Sequence, residues 1–193
     1  RTVGEMLSKK LGISYYDKDI IRMASDDSGI HETLFGRVDE YSSAKPPLFK
    51  KESIYTGDLI PPHSKEFTSD ENLFNYQAKT IRHLAETESC VIIGRCSNYV
   101  LKDYPNVLSV FIHASWEFRM EKAAEKLSKT PREIEKFLQK DDKRKFEYCR
   151  RFTGKEWTDA TNYDLCLDSS KLGYDKCVEE IEHRLALLRE KLK

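Results

Sequence analysis

The sequence predicts an α/β protein built around a mostly parallel sheet, and three observations point that way. Residues 90–93 and 107–112 are short, continuous apolar runs of the kind buried on both faces of a parallel sheet. Segments with helical spacing alternate with these runs, as β-α units do. Polar residues gather at the predicted strand ends, where ligands sit in such sheets.

The elements follow in order. Residues 2–11 read as an amphipathic helix stopped by Gly12. Residues 13–16 are β-prone, and Asp17 is placed to cap a helix running to about residue 25. Ile30, Leu34 and Val38 lie four apart and suggest a helix over 28–42. Residues 43–68 hold four of the six prolines, with turn clusters at Pro46-Pro47 and Pro61-Pro62, and read as loop. A helix over 70–88 carries Leu73, Gln77, Ile81 and Leu84 on one face. A helical segment over 97–101 separates the two apolar runs, and Ser115 can cap a helix to 129. Thr130-Pro131-Arg132-Glu133 combines a capping box with proline at the first helical position. Residues 163–167 form a last strand, and 174–192 a helix with Cys177, Ile181, Leu185 and Leu188 inward.

Composition narrows the function classes. The 193 residues carry 33 basic and 33 acidic side chains, so no global field draws in a nucleic acid polymer or an anionic membrane. No apolar run approaches the roughly 20 residues a membrane-spanning helix needs. The five cysteines are odd in number and form no C-x-x-C pair, which argues against a disulfide framework or structural zinc and for a reducing, cytoplasmic location. No H-E-x-x-H or G-x-S-x-G occurs, and the five histidines lack ligand spacing; His113 closes an apolar strand as a core-edge residue.

The chemistry-bearing candidates lie at strand ends. Arg1 and Thr2 open the first helix where a P-loop would place its phosphate cation and its Mg²⁺ hydroxyl, which predicts a β-prone run and a glycine-rich loop upstream. Gly94-Arg95 ends a strand with a cation suited to a phosphate or carboxylate. The run from Lys140 to Lys145, with Arg150-Arg151 beyond it, is either a solvated helix face or a lid whose arginines close over a transferring phosphoryl group. The break expected at Phe152-Thr153-Gly154-Lys155 favours a movable element.

Taken together, Arg1-Thr2-Val3-Gly4, Gly12-Ile13-Ser14-Tyr15-Tyr16-Asp17-Lys18, Cys90-Val91-Ile92-Ile93-Gly94-Arg95, Val110-Phe111-Ile112-His113-Ala114, Glu117-Phe118-Arg119 and the stretch from Asn162 to Ser170 make a pattern. It resembles the cytidylate kinase-like family, P-loop nucleoside monophosphate kinases. The resemblance implies a P-loop kinase-like parallel sheet of about five strands, the first lying upstream of Arg1, in a single domain over 1–193. It implies a monophosphate-binding insertion over 26–75 and a lid over 141–158. The implied reaction is ATP- and Mg²⁺-dependent phosphorylation of a nucleoside monophosphate, CMP or dCMP first. Arg1 would then be the catalytic β/γ-phosphate cation and Thr2 the metal's hydroxyl ligand. Asp17 and Arg95 would face the monophosphate, and Arg144, catalytic, would act with Arg150 and Arg151 in the lid. Nucleotides are the implied partners, and a homodimer is compatible with the pattern.

The chain departs from the family at two points. Cys96 stands where cytidylate kinases carry the Asp of Gly-Arg-Asp, and the insertion differs from theirs. Two alternatives therefore stay open: a P-loop kinase of another small metabolite, and a nucleotide-binding regulatory module without transfer.

Overall fold

The computed structural model describes residues 1–40 and 54–192. The Pro46-Pro47 cluster and the middle of the 26–75 insertion lie outside the described residues. Along the chain run α1 (Thr2–Leu11), β1 (Ser14–Tyr16), α2 (Asp19–Ser28), α3 (Glu32–Phe35), α4 (Asp70–Thr87), β2 (Cys90–Ile92), α5 (Ser97–Val100), β3 (Val110–His113), α6 (Trp116–Lys126), α7 (Pro131–Thr153), β4 (Leu165–Asp168), α8 (Ser169–Leu172) and α9 (Tyr174–Lys191). Helices and parallel strands alternate as the sequence predicts.

The sheet is divided. β1 pairs in parallel with β2, Ser14 opposite Cys90, and β3 pairs in parallel with β4, Val110 opposite Leu165. Among the described residues these are two separate two-stranded sheets rather than one larger one. Apolar packing joins what hydrogen bonding does not. Val3 and Leu7 of α1 and Cys177, Val178 and Ile181 of α9 form one cluster, which takes Val91 from the first sheet and Val110, Ile112 and Leu165 from the second. A larger cluster joins α2, α4, α5 and the end of α7 around Ile20, Phe74, Ile81 and Phe152.

Local chemistry explains the element ends. Gly12 adopts φ 64 and closes α1, because a left-handed residue there lets its N–H reach the Ser8 carbonyl. The Thr130 hydroxyl accepts from the Glu133 N–H, and the Glu133 carboxylate accepts from the Thr130 N–H at 2.8 Å, completing the predicted capping box. α7 then runs unbroken to Thr153, where Gly154 at φ 66 stops it.

Several expectations need correction. Within its described part, 28–40, the predicted 28–42 helix shrinks to α3, since Gly29 at φ 71 ends α2 and successive turns follow Phe35. Ile30 and Val38 are nevertheless buried, so the apolar spacing marked the core without marking a helix. Asp17 does not cap α2: its neighbour Lys18 occupies that position without a side-chain bond. The helix after Ser115 ends at Lys126, because Leu127 is extended ahead of the capping box. His113 is exposed rather than lodged at a core edge. The 141–158 segment is not a detached flap throughout, for Tyr148, Cys149 and Phe152 are core residues, and Phe152 stacks on Phe74 with ring centroids 4.3 Å apart. No helix among the described residues is long and apolar enough to cross a membrane.

Candidate phosphate site

β1 and β2 run side by side, so their carboxyl ends deliver Asp17 and the Gly94-Arg95-Cys96 turn to the same place. That turn is unusual. All three residues take positive φ, at 69°, 53° and 54°, and two of them are not glycine. Backbone in this region persists only where surrounding contacts hold it. Here Glu40 does so: its carboxylate, itself buried, accepts the Arg95 N–H at 2.8 Å. A Cβ on Gly94 would collide with that carboxylate.

The Arg95 side chain turns inward. It is fully buried and reaches Asp17 at 3.2 Å and Asp39 at 3.3 Å. Burial opposes its charge, but Asp39, Glu40 and Asp17 more than offset that, and its pKa is raised. The structure thus corrects the expectation that Arg95 faces a ligand: its guanidinium is engaged inside the protein. Asp17 spans outward from it. Its second oxygen takes the Arg1 Nε at 2.8 Å, so one carboxylate links a buried arginine to one that is 44% exposed.

α7 completes the group. Asp141 holds Arg144 and Lys145, each at 2.8 Å, and these two cations pull its carboxyl below the ordinary range against the effect of burial. Lys145 reaches toward the first helix. Its charge is close enough to act on the backbone start of α1 at Arg1. Nearby, Lys126 donates to the Thr2 hydroxyl at 3.2 Å. Arg1, Thr2 and Asp17 therefore lie at the strand ends with Lys145 near them, and Arg144 shares the Asp141 carboxylate with Lys145.

Not every predicted residue joins it. Arg151 is tied to Asp70 at 2.6 Å in the first turn of α4 and lies over the Phe152 ring. Arg150 is exposed on the last turn of α7. Asp142, beside the Arg144 anchor, instead takes Arg119 in a two-bond pair at 2.6 and 2.8 Å. Sequence reading missed Asp39 and Glu40, which lie 55 residues and more from their partners at the turn and carry no local spacing signal. It also undervalued Lys145, and Cys96, whose side chain enters the core.

The arrangement suits a phosphate. Partly exposed arginine and lysine side chains in short ion pairs can exchange a carboxylate for phosphoryl oxygens at small cost. A magnesium ion needs oxygen ligands and keeps several waters, and the Thr2 hydroxyl, which accepts from Lys126 at 3.2 Å, is an oxygen of that kind.

Comparison with known proteins agrees with the fold. A crystal structure of an uncharacterized protein from Eubacterium ventriosum ATCC 27560 superposes with a TM-score of 0.67 at 22% identity, over 95% of this chain and 89% of that one. No curated protein matches the chain significantly. A sequence model of the cytidylate kinase-like family matches residues 1–171. The chain belongs to the cytidylate kinase-like family.

Proposed function

We propose that the protein is a phosphotransferase that moves the γ-phosphoryl group of ATP to a nucleoside monophosphate, with CMP and dCMP the first acceptors to test. The pairing of Arg1 with Asp17 at the carboxyl end of β1, with Arg144 and Lys145 gathered by Asp141 on α7, is the observation behind this reading. Phosphoryl transfer asks little covalent chemistry of a protein. It asks for positioning and for cations placed where charge spreads over the transferring oxygens.

The residues divide that work. Arg1, oriented by Asp17, binds phosphate oxygens at the start of α1. Arg95 positions Asp17 from below rather than touching the ligand. Arg144 and Lys145 are held by Asp141 until a more highly charged partner arrives. Bound Mg²⁺ would neutralise charge on the phosphates, with the Thr2 hydroxyl among its ligands. A β-prone run and a glycine-rich loop encoded upstream of Arg1 belong to this reading.

The deciding experiment measures ADP release by the full-length protein with ATP and Mg²⁺, with and without CMP, dCMP and other monophosphates. Release that depends on a nucleoside monophosphate supports the reading. Nucleotide-induced thermal stabilisation with no turnover would instead identify a binding module.

A further inference from the structure

Trp157 stands in the segment between α7 and β4, and its neighbours brace it. Phe111 of β3 meets the ring edge to face, with centroids 5.7 Å apart and planes at 88°. Tyr163 stacks on the same Phe111, with centroids 5.0 Å apart, and its hydroxyl donates to the Trp157 carbonyl at 2.8 Å. The Asn162 amide donates to the neighbouring Glu156 carbonyl at 3.0 Å. The ring is therefore in place before any ligand arrives, and a side chain already ordered loses little freedom on binding.

Trp157 is nonetheless only partly buried. Over its ring lies a cation, Lys145 Nζ, 5.3 Å from the centroid. The same ammonium is 2.8 Å from one oxygen of Asp141, whose other oxygen takes Arg144 at 2.8 Å. One lysine thus belongs both to the aromatic ring and to the cations assigned to phosphate. The chain's other tryptophan differs. Trp116 also carries a cation, Arg119 at 5.5 Å, but Asp142 clamps that arginine through two hydrogen bonds.

A lysine resting on a partly exposed ring can be displaced. It gains less there than a stacked nucleobase does, because every base has a π-face that covers the ring. Phosphoryl oxygens also offer its ammonium a charged partner.

From the braced ring and the shared lysine, we propose that Trp157 is the stacking platform for the nucleobase of a bound nucleotide, and that Lys145 leaves the ring for that nucleotide's phosphate. The inference rests on the nucleotide reading above and deepens it by naming what holds the base. Stacking tolerates any base, so the platform adds affinity without choosing cytosine. Lys145 covers the ring when the site is empty and meets phosphate when it is filled.

The test measures binding to the full-length protein by calorimetry. CMP and ATP are each set against a base-free counterpart, ribose 5-phosphate and tripolyphosphate. Trp157→Leu should weaken CMP or ATP at least about fivefold and leave the matching base-free compound unchanged. Whichever nucleotide responds carries the base that stacks, and Trp157→Phe should restore most of the loss. Equal losses for a nucleotide and its counterpart would make Trp157 a structural residue. Unchanged affinity for both nucleotides, or no binding of either, would also overturn the platform. Should Trp157→Leu fail to fold, the fluorescence of Trp157 in a Trp116→Phe protein decides. CMP or ATP should quench it, and a change no larger than its base-free counterpart causes would sink the idea. Transfer stands or falls separately. Base-dependent loss of affinity without acceptor-dependent ADP release keeps the platform and removes transfer. Turnover whose KM for both nucleotides is untouched by Trp157→Leu keeps transfer and removes the platform.

Discussion

Arg95 and Arg144 are both arginines paired with an aspartate, and they serve opposite ends. Arg95 is fully buried, reaches an aspartate 78 residues away, and ties β1, β2 and the Asp39-Glu40 segment together. Arg144 is 19% exposed at its side chain and is held by Asp141, three residues back on the same helix. A long-range buried pair fixes the fold, because releasing either partner strands a charge in the core. A short-range, partly solvated pair can be given up to a ligand at little cost to the fold. Residue type and partner type are the same; depth and sequence separation differ.

Four experiments can break or sharpen that contrast. Arg95→Ala should show the largest effect, a loss of about 3–5 kcal/mol in unfolding free energy, because the buried cation shared by Asp17 and Asp39 is removed from the core. Urea denaturation that finds a loss below about 1 kcal/mol would place Arg95 with the ligand-binding cations after all. Gly94→Ala should cost about 2 kcal/mol, since the new Cβ displaces Glu40 from the Arg95 N–H and strains a left-handed residue. The turn is not held by Glu40 if this variant melts with the parent.

Arg144→Ala should change stability by no more than about 0.5 kcal/mol. Its turnover should nevertheless fall at least about tenfold, roughly 1.4 kcal/mol of barrier. Unfolding of this variant with normal activity per folded molecule would make Arg144 a structural partner like Arg95. The smallest effect is expected at an exposed acid outside both groups. Hydrogen bonds from Ser14 at 2.6 Å and Tyr16 at 2.8 Å hold the Glu88 carboxyl below its ordinary value of 4.5. A carboxyl lowered in the folded state stabilises above its ordinary value, and that contribution fades as pH falls through the lowered one. Melting curves of wild type and Glu88→Gln should therefore converge below pH 4.5 and stay apart above it; parallel curves would contradict the linkage.

The sequence made local features legible and hid long-range ones. The capping box at Thr130, the stop at Gly12 and the break at Gly154 are set by a few adjacent residues, and the structure contains all three. Arg1, Thr2, Asp17 and Arg144 could be picked out because strand ends and basic runs are visible patterns; of these, Arg1 and Asp17 are paired at 2.8 Å, while Arg144 is held by Asp141 on its own helix. The direction of the Arg95 side chain was not legible. It depends on Asp39 and Glu40, and the apolar spacing of Ile30, Leu34 and Val38 suggested a helix there and said nothing of where these two acids reach.

The two parallel ladders also shape how the chain must fold. Each joins segments far apart in sequence: the β1–β2 ladder matches Ser14 to Cys90, and the β3–β4 ladder is extended by Ser109 and Asp164, 55 residues apart. Closing loops of this length costs entropy before any ladder bond forms. α7, by contrast, carries its own capping box, its i,i+3 and i,i+4 ion pairs and its own stop signal, so much of its order is set locally. High contact order slows the sheets relative to such a helix. The strand-end site, which needs β1, β2 and α7 in register at once, is consequently among the last parts of the molecule to assemble.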